Sequence, residues 1–260
     1  MKTKALRYLA WTVLTVLLLT GCLSRGSSET NRRQLPQVPE NRTRAEAFST
    51  AQDGSVTYPG ALQGIDVSSH QGEIDWQRVK AAGIDFAILQ IGYRGYSAGK
   101  LNKDSRFETN LAEARAAGVR VGVYFYSQAC SEEEALEEAD FVLQELDGRS
   151  LDLPVFYDWE EVTDGRTVGM ATSAVGDYAL AFCRRITAGG EKAGVYFNQK
   201  YGYDIMHLEA LTDYMFWLAE YRSYQSFDSA VAIWQYTGQG HVDGIDIQVD
   251  RDLMYGPEEE

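Results

Sequence analysis

The sequence predicts an α/β fold: one closed eight-stranded barrel whose first five strands are each followed by a helix and whose last three are bare. Three observations lead there. From Leu62 onward, short runs rich in β-branched and aromatic residues alternate with amphipathic stretches, the rhythm of βαβ units around a parallel sheet. Hydrophobicity within the runs is near-continuous, as in strands buried on both faces. After the fifth run the spacing shrinks to about 7 to 10 residues, too short for packed helices of normal length.

The elements follow in order. LQGIDVS (62–68) is the first strand and IDWQRVKAAG (74–83) its helix. FAILQIGY (86–93) is the second, followed by a Gly-rich loop to about Arg106 and a helix over 107–118. VRVGVYFYS (119–127) precedes an acidic helix over 131–146, which opens with Ser131 as N-cap and Glu134 in the capping-box position. LPVFYDWE (153–160) leads into a helix over about 172–188, and AGVYFN (193–198) completes the helical half. FWLAEY (216–221), AIWQYT (232–237) and IDIQVD (245–250) are the bare strands. A doubly wound open sheet competes, but GIDVSSHQGEID lacks the Gly spacing of a phosphate loop.

The N-terminus sets the compartment. Lys2, Lys4 and Arg7 precede an apolar run over 8–19, about 12 residues and short of the roughly 20 that a spanning helix needs. Residues 1–21 therefore read as a signal peptide, and Leu19-Thr20-Gly21-Cys22 resembles the lipobox of bacterial lipoproteins, in which the cysteine becomes the acylated N-terminus. Cys22 is thus the expected lipidation site, and the expected location is the outer face of the cytoplasmic membrane, within the cell envelope. Residues 22–60, mostly polar and without apolar periodicity, are expected to be a disordered tether with an r.m.s. span of about 35 Å. The barrel is expected over 61–257 and an acidic tail over 258–260.

Loss of residues 1–21 removes three positive charges and no negative ones, taking the net charge from −14 to −17. Such a chain repels phosphate backbones, which excludes nucleic acid as a partner, and repels anionic lipid, so attachment must come from acyl chains. Cys130 and Cys183 carry no spacing signature and stay unassigned between a disulfide and two thiols. His70, His207 and His241 are isolated, His70 alone following a strand. No cofactor or metal is expected.

Chemistry in such a barrel belongs at the C-terminal strand ends. Reading them in order gives Asp66, Tyr93, Tyr124 with Tyr126, Asp158 with Glu160, Asn198, Glu220, Gln235, and Asp246 with Asp250. Asp158 and Glu160 share a face of the fourth strand, with Cβ atoms roughly 6 to 7 Å apart, and Trp159 faces away. Two acids so close cannot both ionise freely. Acetal hydrolysis uses such a pair, a protonated acid for the leaving oxygen and an anion for the charge developing at the anomeric carbon. Glu160 has the longer reach and is assigned the acid; Asp158 is the stabilising or orienting carboxylate. Tyr93, Tyr126 and Trp234 are placed to stack on sugar faces, and Gln235 joins them as a candidate substrate contact.

GIDVSSHQG (64–72), YFYS (124–127), DWE (158–160), WQYT (234–237) and QVDRD (248–252) occur in this order across nearly the whole domain. Together they resemble glycoside hydrolase family 25, the Chalaropsis-type lysozymes. The resemblance implies an irregular TIM-like (β/α)5(β)3 barrel and cleavage of the β-1,4 bond between N-acetylmuramic acid and N-acetylglucosamine, with peptidoglycan glycan strands as partner and a monomer as the working unit. It matches Glu160 to the general acid, Asp158 to its neighbouring carboxylate, Asp66 and Asp250 to the rest of the acidic cluster, and Tyr126 to a substrate-facing tyrosine, though Tyr124 shares its parity. The family often reads Val-Asp-Leu-Asn at the last strand, where this chain has Val249-Asp250-Arg251-Asp252. The spacing is compatible with retention and with inversion. A chitinase-like glycosidase and a non-catalytic, lipid-anchored glycan-binding protein are the competing functions.

Overall fold

The computed structural model describes residue 35 and residues 37–256; the signal peptide, Cys22 and the acidic tail lie outside the described residues. Eight strands close the barrel: β1 Leu62–Val67, β2 Phe86–Arg94, β3 Arg120–Ser127, β4 Val155–Trp159, β5 Ala193–Asn198, β6 Met215–Ala219, β7 Ile233–Gly240 and β8 Val249–Met254. They pair in sequence from β2 to β8, β8 then pairs β1, and β1 pairs β2 to complete the ring. The helices are α1 Trp76–Ala81, α2 Phe107–Ala116, α3 Glu132–Leu146, α4 Val175–Ala188 and α5 Gln199–Asp204. The last three strands carry no α-helix between them, as the spacing predicts.

Four expectations are corrected. The last strand begins at Val249 rather than Ile245 and runs antiparallel to both neighbours. Only residues 241–248 separate it from the strand before, too few for a parallel crossover, whereas the longer connection over 220–232, also without an α-helix, joins two parallel strands. The loop after β2 contains a short strand, Leu101–Lys103, folded back on β2 as a hairpin. Ser131 caps α3 through Glu134 N–H, but the Glu134 carboxylate accepts Cys130 N–H at 2.7 Å instead of closing a capping box on Ser131.

The tether is the fourth and largest correction. From Gln37 to Gly60 the described chain is an arm laid on the barrel, with a 3-10 turn at Ala45–Ala47 and a small antiparallel hairpin at Ser49–Thr50 and Val56–Thr57. Val38 and Val56 are buried, Phe48 meets Trp234 edge-on at 5.3 Å, and Tyr58 meets Tyr255 at 5.5 Å. The reason is the bare half of the barrel. Outward-facing Trp234, Tyr236 and Leu253 have no helix to cover them, and the arm does it instead. Few apolar residues suffice for this, so no periodicity announces it.

Two cores result. The outer one fills the space between strands and their covering helices or arm. The inner one fills the barrel with Phe86, Ile88, Leu153, Phe156, Tyr196, Trp217, Ile233 and Met254. Glycine makes the inner packing possible, because a Cβ on Gly64 would sit 2.1 Å from the Phe86 ring and one on Gly194 would sit 2.5 Å from Phe156. Apolar rings plug the lower barrel, and the polar side chains on the same inward faces are left at the mouth.

Candidate active site

Strand parity positions the site. On β4, Val155, Tyr157 and Trp159 turn outward, where Tyr157 packs on Phe182 and Trp159 on Tyr201; Phe156 turns inward onto Trp217. Asp158 follows Phe156 on the inner face and is 7% exposed. The strand ends at Trp159, so half-buried Glu160 stands just beyond it at the mouth, where its carbonyl accepts Gln128 Nε2–H at 2.6 Å. Across the sheet, Tyr126, Asp158, Tyr196 and Trp217 are successive Cα partners, forming one tier around half the barrel.

The other half of the tier is acidic. Asp66 on β1 is the Cα partner of Asp250 on β8. Because β8 is antiparallel, its beginning rather than its end reaches this rim. Two residues on, Asp252 points to the same side, fully buried, and its Oδ1 accepts Trp217 Nε1–H at 2.8 Å. Gln235 is a hub: its Nε2–H donates to Asp66 Oδ2 at 2.8 Å, while the Tyr196 and Tyr221 hydroxyls donate to its Oε1 at 3.0 and 3.1 Å. Asp158 Oδ1 is buried with no protein hydrogen-bond partner.

Five carboxyl groups in one poorly solvated space raise one another's proton affinity. Burial, then Glu160 and Asp250, hold Asp158 well above the ordinary carboxyl range. Burial, then Asp250, raise Glu160. Asp66 is raised strongly by burial and by Asp250 and Asp252, against the Gln235 hydrogen bond. Burial raises Asp250 while its own backbone N–H and His70 oppose, and burial pushes Asp252 up to about 7. Tyr124, Tyr126 and Tyr196 are also raised, first by burial and then by these carboxylates, so they remain neutral hydrogen-bonding groups.

A consequence for stability follows from the sign of these shifts. A carboxyl raised on folding binds its proton more tightly in the native state. Its stabilising contribution is complete below its ordinary value and is lost as pH rises through the native one. The urea midpoint is therefore expected to fall between pH 5 and pH 8, with Asp252 titrating inside that window; a flat or rising midpoint would contradict the cluster's electrostatics. Glu108, held at about 2 by Arg149 and Lys103, acts in the opposite sense only in stronger acid.

The structure brings together Asp66, Asp158, Glu160, Asp250, Tyr126 and Gln235 as the sequence predicts, with Tyr93, 38% exposed, at the rim as the Cα partner of Tyr126. Trp234 is a correction. It alternates with inward Gln235 on β7 and so faces out, fully buried against Phe48 and Tyr236, its Nε1–H donating to the Glu220 carbonyl at 2.8 Å. Gln235 itself is buried behind Asp66 and orders its neighbours. Glu220 and Asp246 also leave the acidic cluster. Glu220 binds Ser226 N–H and Gln199 Nε2–H, holding the loop after β6, and exposed Asp246 lies in the turn before β8, where its charge acts on Arg78. Asn198 caps α5 through Tyr201 N–H at 3.0 Å.

Sequence reasoning misses Trp217, Tyr196, Tyr221 and Asp252 as site residues. Tyr196 shares the parity of Asn198, and Asp252 that of Asp250, so parity is the signal that finds both. Beside the site, buried Arg94 pairs with Glu138 at 2.7 Å, and Arg166 pairs with Glu134 at 2.6 Å, tying the loop after β4 to α3. Cys130 and Cys183 are both free thiols. Among the described residues no group of His, Cys, Asp and Glu is arranged to hold a metal ion, and no helix is long and apolar enough to cross a membrane.

The sequence profile of glycosyl hydrolases family 25 matches residues 65–245. The chain belongs to that family. Among curated proteins, this family 25 hydrolase is 28% identical over 192 residues to the autolytic lysozyme of Clostridium acetobutylicum, an alignment covering 74% of this chain and 55% of that protein. It is also 28% identical over 208 residues to lysozyme M1 of Streptomyces globisporus, covering 75% and 68%. Among solved structures, the bacterial lysozyme from Streptomyces coelicolor superposes with a TM-score of 0.65 at 27% identity, covering 76% of this chain and 94% of that one. The chain spans about half the length of the Clostridium enzyme. The family profile begins at β1, so the arm before it lies outside the matched region.

Proposed function

We propose that this family 25 hydrolase is a muramidase that cleaves the β-1,4 bond between N-acetylmuramic acid and N-acetylglucosamine in peptidoglycan. The observation that carries the reading is the pair at the end of β4: buried Asp158 below half-buried Glu160, both with raised proton affinity in a mouth lined by tyrosines. The names of the two lysozymes above support the substrate class.

In this reading the Glu160 carboxyl gives its proton to the glycosidic oxygen as the bond from C1 of the muramic acid breaks, and water ultimately supplies the hydroxyl at C1. Asp158, whose Oδ1 has no protein partner, faces the developing positive charge. It either orients the substrate's N-acetyl group as internal nucleophile or directs water. Retained configuration in the first product, read by proton NMR, selects the former route and inverted configuration the latter. Mass spectrometry of digested peptidoglycan tests the bond itself. Reducing-end muramic acid is expected, and reducing-end glucosamine would overturn the assignment.

Attachment to the envelope through an acylated Cys22 is part of the proposal. Cys22→Ser is expected to release the protein to the medium, and unchanged membrane association would refute lipidation.

A further inference from the structure

Glu160 stands where the sheet no longer holds it. The register of β4 ends at Trp159 on the β3 side and at Asp158 on the β5 side, so Glu160 has no Cα partner on either neighbouring strand. A general acid tolerates little displacement of its donor oxygen, and a residue just past a strand end is free to move unless something else fixes it.

Side chains take over where the ladder stops. Trp159 Nε1–H donates to the Ala129 carbonyl at 3.3 Å, Gln128 Nε2–H donates to the Glu160 carbonyl at 2.6 Å, and Glu161 N–H donates to the Tyr201 hydroxyl at 3.1 Å. Residues 159, 160 and 161 are thereby held one after another. The groups that hold them are themselves fixed. Gln128, immediately after β3, is fully buried; its Nε2–H also donates to the Ser127 carbonyl at 3.0 Å, and its Oε1 accepts the Thr167 hydroxyl at 3.4 Å. The amide therefore cannot turn without losing a partner at each end. Arg166, paired with Glu134 of α3, donates to the Gln128 carbonyl at 3.4 Å and brings the loop after β4 over the amide. Tyr201, on α5, is buried with its ring against Trp159 at 5.8 Å, and its N–H is bonded by the Asn198 cap. An apolar side chain would fill the space of Gln128 without burying an amide; what the amide adds is a fixed Glu160 carbonyl.

We propose that Gln128 and Tyr201 are positioning residues that clamp the backbone on either side of the Glu160 side chain and so hold its carboxyl at the mouth. Their part in catalysis rests on the muramidase reading; the clamp does not. Gln128 acts on the acid's own carbonyl, and Tyr201 acts on the peptide that follows it. Neither carries the proton.

The test compares wild type, Gln128→Met and Tyr201→Phe in the full chain. Methionine keeps the volume of Gln128 and removes its donor; phenylalanine removes only the hydroxyl. Amide hydrogen exchange, read residue by residue without substrate, is expected to rise at Glu161 in Q128M, although Gln128 does not touch that amide, while residues 155–158 of β4 keep their protection. Unchanged exchange at Glu161, or an equal rise along β4, would refute the clamp. With purified peptidoglycan, kcat is expected to fall about tenfold or more in Q128M at unchanged KM. An unchanged kcat, or a loss confined to KM, would overturn the catalytic part. If Q128M shows no cooperative unfolding transition, Y201F decides alone: it must lower kcat at unchanged KM, and an unchanged kcat refutes the proposal. If wild type releases no reducing ends, the muramidase reading falls, and the exchange measurement still decides the clamp.

Discussion

Replacing Glu160 by glutamine is expected to lower the release of reducing ends from purified peptidoglycan by about 10²- to 10⁴-fold, the usual span for loss of a general acid. The amide keeps the shape of the side chain and removes the transferable proton. The fold should not suffer. The structural link at this position is the carbonyl accepting from Gln128, which the substitution leaves alone. Ionised Glu160 is also penalised by burial and by Asp250, so its removal should leave the unfolding midpoint at pH 7 equal or higher. Lost turnover with undiminished stability separates a catalytic carboxyl from a structural one. Retained turnover would end the assignment of Glu160, whatever happened to stability.

Trp234→Ala should produce the opposite pattern. The indole is fully buried between barrel and arm and donates to a backbone carbonyl, so truncation leaves a cavity and an unpaired acceptor. A loss of about 3–5 kcal/mol is expected, read as a lower urea midpoint, and the folded fraction should keep its KM because the ring faces away from the mouth. Phe48→Ala removes the other side of the contact at a half-buried position and should cost less, about 1–2 kcal/mol. A raised KM with unchanged stability would return Trp234 to the sugar-stacking role that the sequence suggests.

That contrast shows where sequence reasoning reaches. Asp158 and Glu160 are legible because period two along one strand is a local property, and a run buried on both faces leaves little ambiguity about its type. The same rule applied at β7 separates Trp234 from Gln235, since adjacent residues cannot both face the mouth. Asp250 follows from the strand-closing pattern, but that pattern displaces the strand and gives no sign that it runs antiparallel. Asp252 stands out in sequence only as a departure from the family pattern, not as a member of the site.

The sequence by itself determined the strand count, the change of rhythm after the fifth strand, the inward pair on β4 and the family. Each depends on periodicity or spacing within a short stretch, where backbone geometry leaves few alternatives. Tertiary structure alone decided the antiparallel return of β8, the arm over the bare strands, and the gathering of Asp250 and Asp252 with Asp66 at one rim. These are set by what is left uncovered when the barrel closes and by which carboxyls then share one space. The arm buries its few apolar residues because Trp234 and Tyr255 are exposed without it, and the acid cluster gains its proton affinity only when residues 66, 158, 160, 250 and 252 lose water together.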